Sequence, residues 1–400
     1  MNLIFTDFGE VLKGIWESTG FYGFAPSSGF DWQSIVMVLI AVLLLYLAIF
    51  KEAEPYLLIP MGIGMLLSNL PFTGIMDVDP NSASGYSGLL GVLYLGVKYE
   101  IYPCLIFMGI GATTDFGPLI SNPKTLILGA AAQIGIFLTF LLAILVPFPS
   151  ASGWVHFTPQ QAASIGIIGG ADGPTAILTT TKLAPELLAN IAIAAYSYMA
   201  LVPFIQPPII RALTTKKERL IRMDDLKPVS KVKKIIFPIL VTLVTVLLVP
   251  SCAPLIGCFM FGNLVKECGV VKKLTETISN SLLYIITILL GLCVGATAKG
   301  STFLTVQTLW IFMLGIIAFI SATAGGVLIG KLMCKLTHGK INPMIGAAGV
   351  SAVPMAARVV QKEAQREDPS NFLLMQAMGP NVAGVIGSAV AAGLLIQLLG

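Results

Sequence analysis

The run IGIIGGADGPTAI, Ile165 to Ile177, limits what this chain can fold into more than any other stretch. It sets one carboxylate, Asp172, among glycines and a proline, residues that deny the backbone a continuous helix. Its surroundings are apolar: between Ile101 and Ile210 the only other acids are Asp115 and Glu186. The whole chain is 56% hydrophobic and 11% charged, with a mean hydropathy of +0.88. That is the composition of a polytopic membrane protein, not of a soluble domain. In hydrocarbon, irregular backbone persists only where protein buries it or it lines a wet cavity. An acid at such a break is a candidate site, whereas a surface turn of the same composition would simply leave it in water.

A second copy argues against the plain turn. A shift of 180 lays Ile165, Gly166, Gly169, Pro174 and Ala176 on Ile345, Gly346, Gly349, Pro354 and Ala356 without a gap. Gly111-Ala112-Thr113 recurs as Gly295-Ala296-Thr297 at an offset of 184, and Pro60 with Asn69-Leu70 recurs as Pro254 with Asn263-Leu264 at 194. Ordered offsets that drift slowly indicate two related halves. The copies differ at one position above all: Asp172 falls opposite Ala352, next to Ser351, and the second copy carries Arg358 instead.

Apolar lengths predict spans at 34–50, 55–71, 99–113 and 124–148, a broken re-entrant segment at 160–184, and a fifth span at 186–210. The order recurs as 235–250, 253–266, 278–298, 304–330, a broken segment at 341–366, and 371–399. Five crossings per half bring the second half in from the opposite face. The fold class expected is therefore an all-α polytopic membrane protein of two inverted repeats, each with a re-entrant broken hairpin. Its divisions are an interfacial segment at 1–30, which a short extra span could replace, a first repeat at 31–211, a basic linker at 212–234 and a second repeat at 235–400.

Loop charge tests that topology independently. Nine Lys or Arg between Arg211 and Lys234 place the linker in the cytoplasm, together with 266–273 and 331–340. The loop with Asp77 and Asp79, the loop at 149–160 and the C-terminus then lie outside. The net charge of +4 sits in the linker, so nucleic acid is a poor explanation for it. Six cysteines without metal-ligand spacing, and two distant histidines, His156 and His338, argue against a zinc or other transition-metal site. Met1 to Phe30 lacks the basic start of a cleavable signal peptide.

A hard cation such as Na⁺ wants oxygen ligands. Asp172 offers the charge, and Ser351, Asn342 and freed carbonyls near Gly346 could complete the shell, although Asn342 before Pro343 equally suits a helix cap. A lone acid in such a place favours either a cation or a proton, so the two are expected to compete. Tyr198, at mid-span, fits a proton relay, a cation ligand or an interhelical hydrogen bond. Arg358 is the one Arg between Arg222 and Arg366, and no acid lies between Glu276 and Glu363 to pair with it locally. It suits a carboxylate from outside the chain, or a cytoplasmic face shared with Lys362 and Arg366. Gly325-(x4)-Gly330-Lys331 begins like a phosphate loop but has Leu332 where a hydroxyl should follow, so it reads as a helix end.

Three stretches, GIIGGADGPTAI at 166–177, NPMIGAAGVSAVPMAARV at 342–359 and MGPNVAGVIGSA at 378–389, closely resemble the β subunits of Na⁺-pumping biotin-dependent decarboxylases. That family includes oxaloacetate, methylmalonyl-CoA, glutaconyl-CoA and malonate enzymes, and the likeness runs from about the first span to the end. The resemblance implies a subunit of the bacterial inner membrane with elevator-type transport, decarboxylating carboxybiotin and moving Na⁺ outward. It implies catalytic roles for Arg358, Tyr198 and Asp172, with Arg358 and Asn342 at the carboxybiotin. At the Na⁺ it implies Asp172, Ser351, Asn342, Gly346 and Tyr198. The biotin would be carried by a partner, not by this chain. The implied partners are a biotin carrier protein, a carboxyltransferase α subunit, a small membrane γ or δ subunit and further copies of the chain. Read from the residues alone, a cation-coupled carrier for an organic anion and a non-transporting anchor both stay open.

Overall fold

A computed structural model describes residues 2–24, 32–52, 54–79, 82, 85–150, 153–352 and 354–400. Met1 and residues 25–30 of the expected interfacial segment, and Val353 of the second hairpin, lie outside that set. The fold is helical, as it must be where apolar surroundings leave backbone groups no water to bond. In order, the main helices are α1 (Asn2–Glu17), α2 (Trp32–Phe50), α3 (Pro55–Asn69), α4 (Leu89–Lys98), α5 (Ile101–Thr113), α6 (Leu126–Ala132), α7 (Ile134–Leu145), α8 (Pro159–Gly166), α9 (Gly173–Leu183), α10 (Leu188–Leu213), α11 (Lys231–Leu248), α12 (Ala253–Cys268), α13 (Leu283–Thr297), α14 (Val306–Leu336), α15 (Met355–Glu367) and α16 (Leu374–Leu399). A two-stranded hairpin, Phe148–Ser150 against Gly153–Val155, follows α7.

Among the described residues five helical stretches are long and apolar enough to cross a membrane, and two bent pairs bring the number to as many as seven. The protein is thus a multi-pass, all-α membrane protein. Exposed Ile236, Ile239, Leu240, Leu243, Leu247 and Leu248 on α11 show the apolar outer face such a protein needs.

Helix α4 has no counterpart among the expected spans. Its ten residues are too few to cross hydrocarbon alone, so length reasoning leaves them in a loop. Only taken together with α5, as a bent pair, are they long and apolar enough to cross. Glu100 makes the break with φ of 63°, a left-handed conformation that ends one helix before the next begins. The span at 186–210 is also bent, by 62° between Pro185–Met199 and Leu201–Leu213. Pro203 lacks the N–H that would bond the Met199 carbonyl, which accounts for a bend there.

Packing divides the chain into two compact units, Met1–Gly96 with Ile288–Thr305, and Val97–Thr287 with Val306–Gly400. Each draws helices from both halves of the sequence. In the smaller unit, a Cβ on Gly64 would fall 2.1 Å from the Leu292 carbonyl oxygen, and one on Gly295 would fall 2.0 Å from that of Met61. Only glycine lets α3 and α13 come this close. Asn69 closes the contact, its Nδ2 donating to Ala298 O at 2.7 Å and to Met65 O at 2.8 Å, while Oδ1 accepts the Gly300 N–H at 3.2 Å.

The larger unit repeats the device with other helices. Cβ atoms on Gly111 and Gly262 would lie 1.9 Å from Phe259 O and 2.0 Å from Met108 O, so α5 and α12 also meet backbone to backbone. Asn263 Nδ2 donates to Thr114 O at 2.9 Å and Gly111 O at 3.2 Å. Asn69 and Asn263 are the offset-194 pair, and their acceptors Ala298 and Thr114 each directly follow a Gly-Ala-Thr of the offset-184 pair. The same asparagine thus bonds the same carbonyl twice, each time across the halves. Replacing Asn69 or Asn263 with Ala should each lower stability by about 1–3 kcal/mol, because buried carbonyls lose their donor. Thermal unfolding of the detergent-solubilised protein measures both, and a loss at one position but not the other would contradict the equivalence.

Candidate functional site

The first hairpin is built to fail as a helix. Thr158 caps α8 through a capping box with Gln161, and after Gly166 the chain tightens into a 3₁₀ turn at Ile167–Gly170. Ala171 then takes a left-handed conformation, φ 55°, and Asp172 is extended before Gly173-Pro174 opens α9. Gly173 is needed because a Cβ there would lie 2.0 Å from the Tyr196 ring.

The second hairpin breaks differently. Its first arm is not an α-helix but a 3₁₀ stretch, Pro343–Gly349, which ends on an extended Val350. Gly346 and Gly326 of α14 abut so closely that a Cβ on either would fall within 2.1 Å of the other's carbonyl oxygen. A regular helix with side chains would not fit that contact.

The two breaks touch. Ser351 N–H donates to Gly170 O at 2.9 Å, backbone to backbone. Asn381 of α16 donates its Nδ2 to Ala348 O at 3.0 Å and Val350 O at 2.8 Å, replacing helical partners that the second break forfeits. Asp172 lies at this junction, 6% exposed. Its Oδ2 accepts Thr175 Oγ1 at 2.5 Å and Ser388 Oγ at 3.0 Å, and Ser351 Oγ is 3.1 Å from Ser388 Oγ. Hydroxyls of the first hairpin and α16 therefore converge on one carboxylate, and the second hairpin joins the chain of hydrogen bonds through Ser351 on Ser388.

Among the three acids between Ile101 and Ile210, Asp172 is the buried one with only neutral partners among the described residues; Asp115 has a lysine and Glu186 is exposed. Asp115 bonds Gly117 N–H at 2.8 Å and Lys234 Nζ at 2.9 Å, and Glu186 accepts Gln161 Nε2 at 2.9 Å. Buried amide oxygens near the breaks, among them Gln133 Oε1 and Asn381 Oδ1, accept no hydrogen bond among the described residues. A Cβ on Gly170 would be 3.1 Å from Ser388 Cβ and 3.9 Å from Gln133 Oε1, so Gln133 reaches the first break. Oxygen donors of this kind suit a hard monovalent cation, and the described residues contain no cluster of His, Cys, Asp or Glu that could hold a transition metal.

The remaining predicted residues are placed as follows. Tyr198 is buried, and its hydroxyl donates to the Phe312 carbonyl of α14 at 2.5 Å. The ring beside Asp172 belongs to Tyr196, which packs on Gly173. Asn342 is saturated: Oδ1 accepts Met344 N–H at 3.0 Å, and Nδ2 donates to Arg219 O at 3.1 Å and Ile221 O at 2.8 Å. Gly346 meets α14, as above. Arg358 is exposed on α15 and forms no ion pair among the described residues.

Ser388, Thr175, Gln133, Asn381 and Tyr196 were not singled out from sequence. A signal existed for Ser388 and Asn381, which fall in the glycine-rich stretch 378–389 on the last span, where polar side chains in an apolar helix must find partners. Gln133 is a lone amide between two apolar helices and carries no comparable pattern.

The linker is strapped to the second hairpin. Arg211 forms two 2.6 Å bonds with Glu363, Arg219 reaches Glu367 at 2.8 Å, and Arg222 reaches Asp368 at 2.6 Å. The Ser370 hydroxyl and the Arg222 guanidinium hold Asp368 down at about 2. Its folded value lies below the unfolded value of about 3.9, so its contribution is present above that value and is lost only as pH falls through about 2. Asp368 therefore stays ionised, and its pair with Arg222 intact, at physiological pH.

With five to seven helices apolar enough to cross among the described residues and a buried carboxylate at a double helix break, the chain is of the class of multi-pass membrane proteins that shelter an ionisable group. A family model for the Na⁺-transporting oxaloacetate decarboxylase β subunit matches residues 33–399. The methylmalonyl-CoA decarboxylase β subunit of Propionigenium modestum is 56% identical over 407 aligned positions, covering 98% of this chain and 100% of the relative. The glutaconyl-CoA decarboxylase β subunit of Acidaminococcus fermentans is 52% identical over 98% of both chains. The oxaloacetate decarboxylase β chain of Klebsiella pneumoniae is 52% identical, covering 90% of this chain and 94% of the relative. The chain belongs to this family of β subunits and is a membrane subunit of a Na⁺-transporting decarboxylase.

Close packing gives opposite signs at two glycines. Gly346→Ala drives a methyl group into the Gly326 backbone and should destabilise the protein by about 3 kcal/mol or more, since backbone cannot step aside as a side chain can. Gly257→Ala, in α12 with open space around it, should stabilise by about 0.5–1 kcal/mol. Melting curves of the two variants check both.

Proposed function

We propose that this subunit takes carboxybiotin from a biotin carrier protein, releases CO₂, and uses the free energy to move Na⁺ outward from a site at Asp172. The observation that carries the reading is the convergence of Thr175, Ser388 and, behind it, Ser351 on a buried carboxylate that has no cationic partner among the described residues. Na⁺ would sit against Asp172, with the Ser388 and Ser351 hydroxyls turned to present lone pairs. Gln133 Oε1 and Asn381 Oδ1 supply further unused acceptors nearby.

Arg358 holds the carboxylate of carboxybiotin. In the reaction the bond between the biotin ureido nitrogen and the carboxylate carbon breaks, its electron pair stays on nitrogen, CO₂ leaves, and the nitrogen takes up one proton. Protonation of the Asp172 site competes with Na⁺ for the same oxygens and so couples release to decarboxylation. Tyr198 handles Na⁺ or the proton once its hydroxyl leaves the Phe312 carbonyl. Asn342 and Gly346 act by holding the second hairpin in place, the first against the linker and the second against α14. Arg358 and Asn342 thereby frame the carboxybiotin site.

The architecture inferred is two inverted repeats, 31–211 and 235–400, joined by a basic linker and preceded by an interfacial segment, working as an elevator. The reciprocal Asn69 and Asn263 bonds support it, because a two-fold relation requires each half to present the same contact to the other. Lys234 on Asp115, Lys266 on the Thr114 carbonyl and Lys331 on the Leu213 carbonyl gather basic residues at one end of the larger unit. That end is assigned to the cytoplasm of a bacterial inner membrane, leaving the C-terminus outside. A carboxyltransferase α subunit, a small γ or δ subunit and further copies of this chain complete the assembly.

In proteoliposomes of the assembled complex, Asp172→Asn should abolish both Na⁺-dependent decarboxylation and Na⁺ uptake. Ser388→Ala should raise the Na⁺ concentration for half-maximal activity by about tenfold, the loss of one oxygen ligand at about 1.4 kcal/mol. Wild-type Na⁺ uptake by the Asp172→Asn complex would refute the site.

A further inference from the structure

Helix α15 carries two rows of charge that the fold treats in opposite ways. Glu363 and Glu367, with Asp368 just beyond, are taken at 2.6–2.8 Å by Arg211 at the end of α10 and by Arg219 and Arg222 of the linker. The only exposed residues of this helix are Arg358, Lys362 and Arg366. Four-residue spacing sets them in one line, about 6 Å apart along the axis. None of the three forms an ion pair among the described residues, although three acids lie on or beside the same helix. Like charges at this spacing repel one another, so the line costs stability while every nearby acid is assigned elsewhere.

The line also has direction. It begins seven residues after Ser351, near the break, and ends beside the Arg222–Asp368 pair of the strap. Because α15 exposes no apolar side chain, this face cannot sit in hydrocarbon or anchor at a lipid interface; it faces water. A fixed row of cations on a watered face, held rigid from behind by three ion pairs, fits an anionic protein surface more closely than a lipid headgroup.

We propose that Arg358, Lys362 and Arg366 form a docking track for an acidic face of the biotin carrier domain. Arg366 and Lys362 engage the rim of the carrier, and the row leads the carboxybiotin carboxylate to Arg358. This rests on the function proposed above. Track residues would speed encounter and set affinity without touching the bond that breaks.

The test uses the assembled complex in proteoliposomes, with carboxybiotin-loaded carrier titrated in one series and free N-carboxybiotin in another. For Lys362→Gln with Arg366→Gln, KM for the carrier should rise about tenfold, kcat should stay within about twofold, and the salt dependence of KM should flatten. Turnover of free N-carboxybiotin should match wild type, and Lys335→Gln, an exposed charge off the track, should leave the carrier KM unchanged. An unchanged carrier KM in the double variant overturns the track, as does an equal loss with free N-carboxybiotin, or a shift seen only in vesicles containing anionic lipid. A wild-type complex that turns over neither form of carboxybiotin overturns the proposed function itself.

Discussion

The hydrogen bond from Ser351 N–H to Gly170 O, 2.9 Å long, joins two segments that each abandon the helix inside an apolar protein. Left unpaired, either group would cost about 1–3 kcal/mol in such surroundings. Paired, they fix the breaks against each other, and the remaining orphans are absorbed locally. Ala171 turns back to bond Ile168 O at 2.9 Å, and Asn381 covers the carbonyls of Ala348 and Val350. That pairing holds Asp172 on Ser388, and Ser388 on Ser351, at the junction of the two breaks.

The same economy of polar groups organises the far end of the larger unit. Asn342 holds the Arg219 and Ile221 carbonyls, Asn371 reaches the same two at 3.4 Å and 3.3 Å, and three arginine–acid pairs clamp the linker on α15. The nine cations from Arg211 to Lys234 are thus more than a topological signal. Three of them neutralise the acids of one helix face and, by doing so, leave the opposite face uniformly positive.

Much of this was legible in the residues themselves. Glycine, proline and a lone acid at 165–177 announce a break that must be sheltered, and the structure shelters Asp172 as that reasoning requires. The offset asparagines, noted first as a sequence repeat, turn out to make matching bonds. What could not be read was long-range geometry. Ser388 lies 216 residues from Asp172, and nothing local marks the contact. Helix α4 escaped because a ten-residue apolar run satisfies no spanning rule until the bend at Glu100 joins it to α5. Tyr198 drew attention through its motif, but which of two neighbouring tyrosines turns toward the acid depends on the rotation of α10, set by its packing on Gly173 and Gly315.

The central claim is that the oxygen cluster around Asp172 binds Na⁺ by itself, before any partner or substrate arrives. Ligand that binds only the folded state raises its melting temperature as concentration passes the dissociation constant. Melting of the purified subunit should therefore rise with NaCl, but not with choline chloride at equal ionic strength, and the Na⁺-specific rise should vanish in Asp172→Asn. A Na⁺-specific rise of the same size in Asp172→Asn would place the cation elsewhere.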